Sequence, residues 1–347
     1  MHRHNRGHGV RLGLGTATLV AMAAFGLMAC GSSSSSGTSG KTSSGATPVP
    51  VQAGINDPQN RTVAVLQFMP AAVTVKTGTT VRWSWEGAAE AHSVTFLPPG
   101  QQPPSPEAAD PFFAPTLPTG PYDGKALVNS GLQPAGPQPA KPMDVTFSTP
   151  GSFTYHCVIH PQMVGTVVVK ASGTDLDSPS SAKKRGAAEQ TKYLAEGRAT
   201  KGQLEKAAPK TTRNADGSTT YQVQMGLSSA HTDVLQFAPA PAAVKAGDTV
   251  EFLNDSGAPH TATFFGTTPG IVDPSDPRVG PPSGPSPQKL NTTSFFNSGL
   301  LPPNAPPGGG PPPQARSFSF VVPAAGTYAS ECVLHAPSGM GGTITAT

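Results

Sequence analysis

The chain has 347 residues, of which 39 are Gly and 40 are Pro, and only 12% are charged. Both residues break helices, so this composition excludes a helical bundle or coiled coil and suits short strands joined by stiff loops. The formal charge of +3 resides in Arg3, Arg6 and Arg11, with no acid among residues 1–29, so the remainder is neutral and gives no electrostatic case for nucleic acid.

Residues 1–29 read as an export signal. The three arginines precede an apolar stretch, Leu12 to Leu27, that is too short to span a bilayer. It ends in Leu27-Met28-Ala29-Cys30, which resembles the bacterial lipobox. That resemblance implies cleavage before Cys30, lipidation of its thiol, and a place on the extracytoplasmic face of the cell membrane. Residues 30–60 open with a Ser/Gly-rich run and are expected to be a flexible tether.

An internal repeat organises the rest. Leu66-Gln67-Phe68 recurs as Leu235-Gln236-Phe237, His92-Ser93-Val94-Thr95-Phe96 as His260-Thr261-Ala262-Thr263-Phe264, and Asn129-Ser130-Gly131-Leu132 as Asn297-Ser298-Gly299-Leu300. Gly151 and Cys157 recur as Gly326 and Cys332. The separation grows from 168 residues (His92 to His260) to 175 (Cys157 to Cys332), so the second copy carries its insertion in the Pro-rich run after Leu300. Insertions fall in loops, which makes this a domain duplication.

Both copies are predicted to be all-β, as two tandem Greek-key β-sandwich domains at 61–171 and 220–347. In the first, strands are expected over Thr62–Phe68, Val73–Val75, Thr80–Trp85, His92–Leu97, Asp144–Phe147, Ser152–Cys157 and Gly165–Lys170. The Pro-rich stretches 98–121, 133–142, 268–288 and 301–313 are unsuited to central strands and are expected as surface loops. Residues 172–219 form the linker. Within it, 180–207 is rich in Ala, Lys, Glu and Gln, but Gly186, Gly197 and Gly202 weaken it, which predicts a solvated segment with a frayed helix.

The chemistry concentrates near the end of each copy. Cys157, His160 and Met163 give C-x2-H-x2-M; Cys332, His335 and Met340 give C-x2-H-x4-M; His92 and His260 lie far upstream. A thiolate, two imidazoles and a weak thioether select copper over harder metals. The repeat puts Cys157 and Cys332 at equivalent places in different domains, which argues against a disulfide between them.

These residues resemble the cupredoxins, the plastocyanin/azurin family of blue-copper proteins, over about 61–171 and 220–347. The first loop is similar in spacing to that of amicyanin, the second to that of plastocyanin. The resemblance implies single-electron transfer with redox partner proteins, two type 1 copper sites, and ligand roles for His92, Cys157, His160 and Met163 and for His260, Cys332, His335 and Met340. Each copy has more residues between its upstream His and its Cys than small cupredoxins do.

Two other functions are weighed. His156 beside Cys157 is similar to the His-Cys pair of copper nitrite reductases and multicopper oxidases. However, its counterpart is Glu331, and beyond the ligands only His156 and His231 remain after residue 29. A catalytic type 2 or trinuclear copper centre cannot be assembled from them, so the chain is expected not to be an enzyme. The alternative of copper capture or delivery finds no Met-rich or His-rich run in its support.

Overall fold

In the computed structural model, residues 46–104, 109–134, 139–239, 244–266, 286–290, 293, 295–304 and 316–347 are described. The expected signal, Cys30 and the first part of the tether lie outside them, as does much of the Pro-rich sequence.

The first half runs through β1 (Val49–Asp57), β2 (Asn60–Met69), β3 (Ala72–Lys76), β4 (Thr80–Ser84), β5 (Thr95–Phe96), β6 (Val128–Asn129), β7 (Met143–Thr146), β8 (Gly151–His156) and β9 (Val164–Lys170). After helix α1 (Pro179–Glu205) come β10 (Lys210–Arg213), β11 (Thr219–Ser228), β12 (Thr232–Ala238), β13 (Thr249–Leu253), β14 (Thr263–Phe264), β15 (Gln288–Lys289), β16 (Phe296–Asn297), β17 (Ser317–Val321), β18 (Gly326–Glu331) and β19 (Gly341–Ala346). The seven strands expected in the first copy are present. The tether, however, ends earlier than expected. β1 occupies its last part and pairs with both β2 and β4, because Val49, Val51 and Ala53 alternate inward as a strand of a sandwich requires.

In each half, two sheets enclose an apolar core. In the first, β3-β9-β8-β5-β6 covers the sheet containing β2, β1, β4 and β7; in the second, β16-β14-β18-β19 covers β12, β11, β13 and β17. Trp83, Phe96 and Tyr155 meet at the centre of the first core, with Trp83 edge-on to Phe96 and to Tyr155. Phe252, Phe264 and Phe320 fill the second.

The halves share a sheet. β2 pairs antiparallel with β12, joining both into one 10-stranded sheet, with Ala64 opposite Asp233. Those two residues are themselves equivalent in the repeat, so the junction has pseudo-two-fold symmetry, in which each half offers the same strand to the other.

Helix α1 lies along this junction and is not a solvated, frayed segment. Ser178 caps it, accepting from the Ser181 backbone N–H while the Ser181 hydroxyl accepts from the Ser178 N–H, and Pro179 opens the first turn. Its buried face is Ala182, Gly186, Tyr193, Leu194, Gly197, Thr200 and Leu204. Few of these are large and apolar, which is why the face was not legible as one. The small residues serve close approach: a Cβ on Gly186 would stand 2.8 Å from the Met69 carbonyl oxygen, and one on Gly197 2.4 Å from Val63 Cγ1. The helix is tied to both halves. Arg198 donates to both carboxylate oxygens of Asp57 at 2.7 and 2.9 Å, and Glu196 accepts from the backbone of His231 at 3.1 Å and pairs with its ring at 2.8 Å. No helix of the described residues is long and apolar enough to cross a membrane.

Candidate metal centres

The structure brings the predicted residues together twice. His92, Cys157 and His160 form one buried group and His260, Cys332 and His335 another, with the ligand atoms of each group within 4.8 Å of one another. The Nδ1 atoms of His92 and His160 are 3.0 Å apart, and Cys157 Sγ is 3.5 Å from His160 Nδ1. In the second group the Nδ1 atoms are again 3.0 Å apart, and Cys332 Sγ lies 3.3 Å from His335 Nδ1 and 3.8 Å from His260 Nδ1. Met163 and Met340 are both fully buried in the loops that carry the histidines.

Each cysteine sits just past the end of a central strand, β8 or β18, and one hydrogen bond closes each loop: Cys157 N–H to the Met163 carbonyl and Cys332 N–H to the Met340 carbonyl, both 3.0 Å. The second loop is two residues longer and makes a short 3-10 turn, Ala336–Ser338. It ends at Gly339, whose φ of 86° suits a residue without a Cβ.

The repeated blocks with no assigned role prove to be the frame of the site. Ser93 and Thr261 each donate a backbone N–H to the cysteine sulfur, at 3.4 and 3.3 Å. Their hydroxyls accept from the backbone N–H that follows the cysteine, 3.0 Å in both halves. Ser130 and Ser298 accept from the N–H of Val94 and Ala262 at 2.8 Å, and Asn129 and Asn297 accept from Thr95 and Thr263 at 2.9 and 3.0 Å. The histidine and cysteine strands are thereby locked side by side, and a donor is aimed at each sulfur. The signal available in the sequence was the recurrence of these polar residues beside the ligands.

A second contribution was not anticipated. Gly54 sits at a register shift of β1 with φ 65°, and a Cβ there would come within 2.1 Å of His92 Nε2. Gly226 occupies the matching shift of β11, where a Cβ would stand 2.7 Å from the Val234 carbonyl oxygen and 3.3 Å from His260 Nε2. A glycine inside a strand marks a bulge or a close approach, and here it marks both.

Burial sets the electrostatics. It holds His160 down to about 4 and His260 to about 3, and keeps His92 and His335 well below the usual imidazole range. It pushes the Cys157 thiol up, and Cys332 to about 11. The imidazoles are therefore neutral, with Nδ1 lone pairs free for a metal, and the thiols give up a proton when they bind one. Two soft sulfurs and two neutral nitrogens in a dry site suit copper.

His156 is half-buried on the opposite side of β8, paired across from Thr95 rather than gathered with other imidazoles. His231 stacks on Tyr193, with ring centroids 4.2 Å apart, and serves the helix clasp. Cys157 and Cys332 are both free thiols, as the repeat implied.

Comparison with known proteins places this geometry in a family. Residues 59–170 match the copper binding proteins of the plastocyanin/azurin family. A plastocyanin of Scenedesmus fuscus is 31% identical over 123 residues, 35% of this chain and 95% of the plastocyanin. The chain belongs to the plastocyanin/azurin family. A chloroplastic plastocyanin of Oryza sativa subsp. indica is 28% identical over 131 residues, covering 38% of this chain and 66% of that protein. Among solved structures, an oxidised amicyanin variant is 20% identical, covering 35% of this chain and 82% of its own, with a TM-score of 0.23. Cupredoxins of this family are copper-binding electron-transfer proteins, and the two His/Cys/His groups fit two copper sites.

Proposed function

We propose that this protein carries single electrons between redox partner proteins through one type 1 copper per half, while lipid on Cys30 holds it to the outer face of the cell membrane. The observation that carries the reading is the pair of complete, buried thiol/imidazole/imidazole groups, each with a buried methionine in its closing loop. Copper bound there supplies a one-electron couple between Cu(II) and Cu(I). The frame around the ligands is held by hydrogen bonds within the protein, so the side chains have little to rearrange when the charge changes. The Ser93 and Thr261 N–H groups stabilise negative charge on each sulfur, and the dry surroundings exclude competing water ligands.

Absorption and metal analysis of purified, copper-loaded protein test this reading. The expected result is an intense blue colour and two coppers per chain, without nitrite reduction or O2-coupled oxidation. A colourless protein sinks it, and turnover with a third copper per chain would establish an enzyme instead. The anchor has its own test. Cys30→Ser is expected to move the protein from the membrane fraction to the soluble one, and retention on the membrane overturns that part.

A further inference from the structure

Among the described residues, the second site has a partner with no counterpart at the first. Glu90 belongs to the first half, two residues before His92, yet its carboxylate reaches the second site. Glu90 Oε2 lies 3.3 Å from Nε2 of His335, and Glu90 Oε1 accepts from the Ser338 hydroxyl. Glu90 is 3% exposed and His335 also 3% exposed, so water does not compete for the contact. The carboxylate is held from its own side as well. Asn56, at the end of β1, accepts from the Ala89 backbone N–H at 2.6 Å and donates to Ser338 Oγ at 3.1 Å, and Arg61 donates to the Pro337 carbonyl at 3.2 Å.

The direction of the ring gives the contact its meaning. His335 turns Nδ1 to Cys332 and His260, so Nε2 is the nitrogen that faces Glu90. A carboxylate on the far nitrogen of a ligating histidine fixes the ring and raises its basicity. The repeat does not reproduce the arrangement: the counterpart of Glu90 is Ala258, and the first loop lacks the turn that carries Ser338.

We propose that Glu90 is a positioning residue for the second copper site, holding His335 through Nε2, so that this site is completed by the other half of the chain. The proposal rests on copper being bound by His260, Cys332, His335 and Met340.

Single-site backgrounds separate the two coppers. Cys157→Ser leaves only the second and Cys332→Ser only the first. In the Cys157→Ser background, Glu90→Ala is expected to speed copper loss to an excess of chelator by about 10-fold or more. It should also raise the reduction potential, because a less basic imidazole favours Cu(I). Glu90→Gln, which keeps a side-chain oxygen as acceptor beside Nε2, should fall between. Ser338→Ala, which loosens the carboxylate without touching its chain neighbours, should shift both readings the same way by less. In the Cys332→Ser background, Glu90→Ala should leave retention and potential unchanged, although Glu90 is close in sequence to His92. Equal retention and potential at the second site with and without Glu90 overturns the proposal, as does an effect at the first site as large as at the second. A Cys157→Ser protein that binds no copper at all removes the second site, and the proposal with it.

Discussion

The two halves build the same ligand set with the same frame, yet they treat the surroundings of the metal differently. In the first half the ligand loop is short, with two residues between His160 and Met163. In the second, a loop two residues longer makes the turn at Ala336–Ser338, which docks on Asn56, Arg61 and Glu90 of the first half. A change in loop length that leaves the closing hydrogen bond intact has thus been converted into a contact between domains. The repeat carries two like His/Cys/His groups, and the junction gives them different surroundings.

The equivalence itself is the easiest part to break. Cys157→Ser and Cys332→Ser are each expected to remove about half the blue absorbance and one of the two coppers, since each thiolate belongs to one site only. Loss of both coppers in either variant would mean that the sites are not independent. A redox titration of the intact protein should then resolve two one-electron steps rather than one doubled step, because the loop and the partner of the histidine differ. A single step would show that the asymmetry does not reach the metals.

The junction carries a further difference, in stability. Asp233 is fully buried opposite Ala64, and burial pushes it up to about 7 from 3.8. Folded chains therefore keep the proton over a range where unfolded chains have lost it. Stability from this group falls as pH rises from about 4 to about 7, by at most about 1.4 kcal/mol per pH unit, and is level above that. Asp233→Asn should lessen the slope, with the buried Glu90 carboxyl, raised to about 8, keeping part of it, and make the variant more stable than the parent at pH 8, measured as urea midpoints from pH 4 to 8. An unchanged slope would sink this account.

The helix over the junction offers the smallest effects and a sharp contrast. Gly197→Ala should destabilise by roughly 1–3 kcal/mol, because its Cβ would press on Val63 Cγ1 and stand 3.2 Å from Thr232, one residue from each half. Gly202 has nothing within 4 Å, so Gly202→Ala should stabilise by up to about 1 kcal/mol through helix propensity. Thermal midpoints of the two variants should move in opposite directions. Equal shifts would mean that the helix does not bear on the junction.

The sequence by itself determined the candidate ligands, the internal repeat and most of the strands. Metal ligands must be particular elements at particular spacings, and strands that bury one face must alternate, so both leave marks that local reading recovers. It missed β1, whose strand pattern follows directly on a Ser/Gly-rich run. It also misjudged α1, whose packed face mixes small residues with only Tyr193, Leu194 and Leu204 as large apolar ones, and so carries no continuous apolar stripe. Only the tertiary structure decided that Gly54 and Gly226 give way to histidine rings, that the serines and asparagines of the repeat frame the sulfurs, and that Glu90 serves the site of the other half. Those roles depend on which backbone passes which side chain at a few ångströms, a relation between residues far apart in the chain that no local spacing records.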